Sequence, residues 1–244
     1  TMSVTYQERT YRKSVQAKGL KSFQVAVGET DLWICATSDL TKQARDLVFM
    51  LRHQLENYIE FYPEFLTSLV PVLDDPYAPP IVKEMIRSTK KANVGPMAAV
   101  AGAMAQWVGE GICGLSDQVI VENGGDIFLR AKRPVTVSIF AGPSPLSGKF
   151  GLHIPEGQMP LGICSSSATV GHSLSRGITD VVCLLAKSTA LADAAATALG
   201  NRVKKIADLE FVAHWAEEIG GIVGGVVIVK DTMATWGEIE LVEI

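Results

Sequence analysis

The sequence predicts an α+β fold in which largely antiparallel sheets pack against buried helices, as two intertwined halves sharing one core. Three observations predict it. Short runs rich in Val, Ile and Phe recur in pairs around Gly- or Asn-containing turns, the pattern of antiparallel hairpins. Residues 40–59 place apolar side chains three and four apart, which makes one buried stripe on a helix. Two further segments, 97–107 and 190–199, consist almost wholly of small apolar residues, and a helix apolar all round is a buried one.

The first hairpin spans residues 22–36. Phe23, Val25 and Val27 alternate, Gly28-Glu29-Thr30 turns the chain, and Leu32, Ile34 and Ala36 alternate on the return. Ser38 or Asp39 then caps a helix whose Ala44, Leu47, Val48, Leu51 and Leu55 share a face. His53 lies off that face, and a solvated role suits it. Five prolines between 63 and 80 make a long connector with at most short turns. Pro80 opens a second helix over 81–91, and Asn93-Val94-Gly95-Pro96 breaks the chain before the small-residue helix 97–107.

Residues 119–130 form a second hairpin. The β-branched run 119–121 enters, the run 127–129 leaves, and Glu122-Asn123-Gly124-Gly125-Asp126 lies between. Gly and Asn adopt positive φ cheaply, so this is a tight turn. Paired glycines also let a ligand approach the backbone, where free amide N–H groups bind an anion.

Strands are expected at 135–140, 150–154, 161–164 and 181–186. Between the last two, residues 165–179 are dense in hydroxyls and carry His172 and Arg176. Such a segment is a plain polar loop or a holder of phosphate or carboxylate. The second small-residue helix follows at 190–199 and stops at Gly200-Asn201. The segment 202–219 is ordinary, with His214 structural. The chain closes with runs at 225–229 and 238–242, a hairpin around 231–236.

Asp193 and Thr197 lie four apart on the alanine helix, hence on one face. A carboxylate and a hydroxyl so placed suit Mg²⁺, which takes oxygen ligands and keeps water or substrate phosphate. The structural alternative is a carboxylate facing the helix dipole and a hydroxyl bonded back to the helix.

Composition sets the limits. With 244 residues, 48% hydrophobic and 20% charged, the chain is a folded one, and a single domain over 1–244 is expected. A net charge of −4 gives no reason to expect a nucleic-acid or membrane partner. Residues 6–21 are polar and charged, so no signal peptide is read there, and the longest apolar stretch, 94–108, is too short to span a bilayer. Cys35, Cys113, Cys164 and Cys183 form no Cys-x-x-Cys pair and are read as reduced thiols of a cytoplasmic protein.

Three stretches, in order, resemble motifs of the ApbE-like superfamily, whose type activity is Mg²⁺-dependent FAD:protein FMN transfer. Residues 93–106 resemble its Gly-rich entry to a small-residue helix. Residues 119–127 are similar to its apolar strand ending in Asn-x-Gly-Gly-Asp. Residues 192–198 match its Ala-Asp-Ala-x-Ala-Thr-Ala. Nearly the whole chain resembles an uncharacterised branch of that superfamily in bacteria and archaea. The branch motifs are Glu-Thr-Asp-Leu (29–32), Val-Gly-Pro-Met-Ala-Ala-Val-Ala-Gly-Ala (94–103), Val-Glu-Asn-Gly-Gly-Asp-Ile (121–127) and Gly-Ile-Cys-x-Ser-Ser (162–167).

The resemblance implies a tunnelling-type fold with internal duplication and an FAD or FMN pocket. It implies Asp193 and Thr197 as Mg²⁺ ligands, with a backbone carbonyl from residues 98–101. Asn123, Gly124, Gly125 and Asp126 would sit by the flavin nucleotide, with Ser166, Ser167 and Arg176 also on it. His172 would be the base that takes a proton from an accepting hydroxyl. The partners implied are a small-molecule nucleotide and an acceptor protein, and a homodimer is left open.

The departures are specific. His172 is followed by Ser173-Leu174-Ser175 instead of Ile-Ile-Asp-Pro, the lysine of the family's small-residue helix is absent, and no lipoprotein cysteine is present. They leave an alternative, a binding or accessory protein in sulfur and homocysteine metabolism. For that role Cys164 would need to be exposed with a depressed pKa; otherwise it is a small buried hydrophobe.

Overall fold

The computed structural model describes residues 19–167 and 177–244. Hairpin β1 (Lys21–Val27) and β2 (Thr30–Ala36) leads into helix α1 (Thr41–Phe61), the single turn α2 (Glu64–Thr67) and helix α3 (Pro80–Ala92). A 3₁₀ turn (Pro96–Ala99) opens α4 (Val100–Ile112), and hairpin β3 (Val119–Asn123) and β4 (Asp126–Arg130) follows. Strands β5 (Val135–Ser138), β6 (Phe150–Ile154), β7 (Leu161–Ser166) and β8 (Val181–Ala186) precede α5 (Thr189–Arg202) and α6 (Val212–Ile219). Strands β9 (Ile222–Val229), β10 (Thr232–Gly237) and β11 (Glu240–Glu243) end the chain.

Eight strands form one sheet in the order β1-β2-β3-β4-β7-β8-β9-β10, every neighbouring pair antiparallel. A three-stranded sheet, β11-β6-β5, is separate. Alternate strand residues point to opposite faces, and the sequence uses both. Val119, Val121 and Phe128 pack with Val48, Met85 and Ala103 of the helices. Ile120, Ile127 and Leu129 face Val137, Leu152 and Ile154 of the small sheet. The result is three layers: helices, large sheet, small sheet.

The two expected halves are visible in this order. Each is a hairpin, a set of helices and a second hairpin: β1–β4 with α1–α4, then β7–β10 with α5 and α6. They join where β4 pairs with β7, and α3 and α4 of the first half pack on α5 of the second. Small residues permit that approach. A Cβ at Gly102 would lie 2.5 Å from the Thr189 carbonyl oxygen; within the second half, one at Gly162 would lie 2.4 Å from Thr189 Cα, so α5 sits as tightly on its own sheet.

Four details correct the sequence reading. The closing hairpin is β9–β10 with its turn at Lys230-Asp231, while β11 leaves the large sheet to pair with β6. The small-residue helix begins with the 3₁₀ turn and runs on to Ile112. Helix α5 continues through Gly200-Asn201 to Arg202, because the buried Gly200 is packed rather than turned. Asp39 lies just ahead of α1, accepting bonds from the Thr41 N–H at 2.9 Å and hydroxyl at 2.6 Å, while Leu40 holds the cap position. Among the described residues, no helix is long and apolar enough to cross a membrane.

Candidate functional site

The β3–β4 turn is a two-residue connection, with Asn123 opposite Asp126 and Gly124 and Gly125 at φ +65° and +111°. Those angles explain the glycines. The Glu122 side chain accepts the Gly125 N–H at 3.0 Å, and Asn123 Nδ2 donates to the Ala101 carbonyl at 3.1 Å. The turn is therefore tied to the first residues of α4. A Cβ at Gly124 would meet nothing within 4 Å, so the tip is open.

Asp126 begins β4, directly across the ladder from Cys164 on β7. It is only 7% exposed, and its Oδ1 has no hydrogen-bond partner among the described residues. Burial pushes its pKa up to about 7, the Glu122 charge adds to the rise, and a hydrogen bond from the Ser165 backbone opposes it.

Asp193 reaches the same place from α5. Ser188 starts that helix, its hydroxyl accepting the Leu191 N–H at 3.1 Å, and Gln106 Oε1 accepts the Thr189 N–H at 2.8 Å. One turn on, Asp193 Oδ2 accepts the Gly102 N–H at 2.8 Å. Asp193 keeps part of its surface open, yet its carboxyl is enclosed deeply enough that burial drives its pKa well up, and the Asp126 charge drives it further. Neither carboxyl has an ion-pair partner among the described residues. Thr197, one turn beyond Asp193, is partly exposed.

The structure ties Asn123 and Asp193 to the two sides of the Ala101–Gly102 peptide, and the Asp126 carboxyl lies close enough to Asp193 for their charges to interact. Ser166, on the same strand face as Cys164, is 8% exposed and its hydroxyl lacks a partner among the described residues. Ser167 follows directly after β7. His172 and Arg176 lie outside the described residues. Cys164 is fully buried, its thiol donating to the Thr189 carbonyl at 3.2 Å, and burial raises its pKa well above the ordinary thiol value. This is the reverse of what a reactive thiol needs.

One supporting network was missed from sequence. Buried Glu84 on α3 accepts the Ser188 hydroxyl at 2.8 Å and pairs with Arg87, so three helices meet at the start of α5. The available signal was polar Glu84 and Gln106 within otherwise apolar helix faces.

Could these residues hold a cation? No three or more His, Cys, Asp or Glu side chains are arranged for a metal among the described residues. Two carboxylates would leave the remaining positions to hydroxyl, carbonyl and water oxygens, which is how Mg²⁺ is commonly held. The orphaned Oδ1 of Asp126 and the uncompensated pair of acids fit a missing positive charge.

A family model described as AbpE bacteria matches residues 12–219. The chain belongs to this family. It is 40% identical over 220 residues to a UPF0280 protein of Methanocella arvoryzae, covering 90% of this chain and 89% of that one. It is 43% identical over 208 residues to a UPF0280 protein of Methanocaldococcus jannaschii, covering 83% and 84%. Among solved structures, it superposes on the apo flavinyl transferase ApbE of Pseudomonas stutzeri with a TM-score of 0.60 at 15% identity, covering 89% of this chain and 93% of that one. The ApbE protein of Thermotoga maritima gives 0.60 at 11%, covering 90% and 97%. Those likenesses establish the ApbE fold for this member of the family.

Proposed function

We propose that this protein binds a flavin nucleotide, FAD or FMN, with a divalent cation, Mg²⁺ by its oxygen donors, and transfers flavin to an acceptor. The observation that carries the reading is the pair Asp126, buried, and Asp193, its carboxyl enclosed, set without a counter-charge among the described residues beside an open Gly124-Gly125 turn. The solved neighbours named as flavin transferases support it at the level of fold.

Asp193 and Thr197 hold the cation in this reading, and a bound divalent cation supplies positive charge against phosphate oxygens. The chain's own residues do the rest. Asn123 fixes the turn through its bond to Ala101, leaving the Gly124 backbone free to approach the nucleotide. Ser166 offers an unused hydroxyl to it. Ser167, His172 and Arg176 are assigned to the same pocket, His172 as the base for an accepting hydroxyl and Arg176 for phosphate.

Titrating the protein with FAD, with and without Mg²⁺, and following flavin fluorescence tests this. Mg²⁺-dependent binding that disappears in Asp193→Ala, with the fold intact, is the expected result. Unchanged binding in that variant, or none in the native protein, rejects it. A second reading, a binding protein without transfer, is favoured by the absence of a lysine from residues 93–106. It predicts flavin bound but never found covalently on an acceptor.

A further inference from the structure

We propose that Asp126 is itself a ligand of the divalent cation, shared with Asp193, so that the ion joins hairpin β3–β4 to helix α5. The inference rests on the cation site proposed above and moves Asp126 from the nucleotide to the metal.

The first ground is how differently Asp126 is treated from three other buried acids, Asp208, Asp180 and Glu84. Asp208 accepts backbone N–H groups of Lys204 at 2.8 Å and Lys205 at 3.1 Å. Asp180 accepts the Lys230 N–H at 2.5 Å. Glu84 has Ser188 and Arg87. Asp126 is as buried as these, yet one oxygen has no partner among the described residues. Buried carboxylate oxygens are rarely left so, because the desolvation penalty is not recovered.

The second ground is placement. Asn123 bonds the Ala101 carbonyl and Asp193 bonds the Gly102 N–H, so both acid-bearing elements are pinned to the two sides of one peptide link. Cys164 closes the ring: it lies opposite Asp126 and bonds the carbonyl of Thr189, one turn before Asp193. The two acids are thereby held near each other by fixed backbone, with no cationic side chain paired to either among the described residues. Like charges buried together need a cation or a proton.

The third ground is orientation. The open part of the turn is Gly124, where a side chain would meet nothing, whereas Asp126 is enclosed. The Gly124 tip is left open to a nucleotide, while the Asp126 carboxylate faces the interior.

Mn²⁺ serves as the probe, its binding followed by the loss of the free-ion EPR signal and by the rise in Tm it causes. The native protein, Asp126→Asn and Asp193→Asn are compared. Both variants are expected to weaken Mn²⁺ binding by about tenfold or more. Both should lose the Mn²⁺-induced rise in Tm, while their metal-free Tm equals or exceeds that of the native protein, since a buried charge is gone. Asp126→Ser carries the same test if the asparagine variant does not fold. Native Mn²⁺ affinity in whichever Asp126 variant folds, with affinity lost in Asp193→Asn, overturns this inference and leaves the proposed function standing. That result would mean the two acids share a proton. No Mn²⁺ binding by the native protein overturns both.

Discussion

The backbone N–H of Gly102 donates to Asp193 Oδ2 at 2.8 Å, joining the first turn of α4 to the middle of α5 across 91 positions of sequence. The contact needs glycine. A Cβ there would lie 2.5 Å from the Thr189 oxygen and 2.8 Å from Asp193 Cβ, and the first of these is backbone that cannot swing aside. Gly102→Ala should therefore push α4 and α5 apart. Alanine gains about 1 kcal/mol in helix propensity, against an overpacking loss of about 1–3 kcal/mol. The expected outcome is net destabilisation in urea with an unchanged m-value, together with weaker cation binding.

Asp126 gives the metal-free protein an unusual pH dependence. Its pKa stands at about 7 in the folded state against an ordinary value of 3.8. The folded state therefore holds the proton more tightly, so this acid's contribution is favourable at low pH and is lost as pH rises through about 7. The upward shift of Asp193 acts in the same direction. The full effect of Asp126 is on the order of 4 kcal/mol. Acids with lowered pKa, such as Asp208, act oppositely, their contribution lost only below the ordinary carboxylate range. With chelator present, Tm should fall between about pH 4 and pH 7, the interval between the two pKa values, and Asp126→Asn should flatten that slope. A Tm that is level over this range would show that the acid is not held protonated.

The start of α5 makes a separate prediction. The Ser188 hydroxyl accepts the Leu191 N–H and donates to buried Glu84. Ser188→Ala removes a helix cap and leaves one Glu84 oxygen short of a donor. Each loss costs about 1 kcal/mol or more, so the variant should be destabilised by about 2 kcal/mol in chemical unfolding. Ser188→Thr, which keeps the hydroxyl, should recover most of it.

Hairpin β3–β4 and both small-residue helices were legible because their signals are local: glycines that permit positive φ, and alanine runs that can only be buried. Asp193 and Asp126 were both singled out, each from its own motif. Their approach to one another was not legible, since it depends on β4 pairing with β7 in the register that sets Asp126 opposite Cys164. The C-terminal strands failed for a related reason. Strand β10 is an edge strand, so most of its residues stay partly exposed and it shows no apolar alternation. Strand β11 finds its partner, β6, about 90 residues away, and no local pattern announces that pairing.

Thiol reactivity separates the flavin reading from one built on sulfur chemistry. Cys35, Cys164 and Cys183 are buried, while Cys113 is partly exposed. Burial raises the pKa of Cys35, takes that of Cys183 to about 11, and lifts that of Cys164 well above the ordinary thiol value. The thiolate is the reactive form, so all three are protected by both access and charge. Alkylation of the native protein, read by mass spectrometry, should mark Cys113 first. Cys164 should react only through opening of the core, slower by on the order of 10³-fold or more. Denaturant should release all four at once. Rapid labelling of Cys164 in the folded state would instead require an exposed, ionised sulfur at the end of β7, and would return that residue to the chemistry of the site.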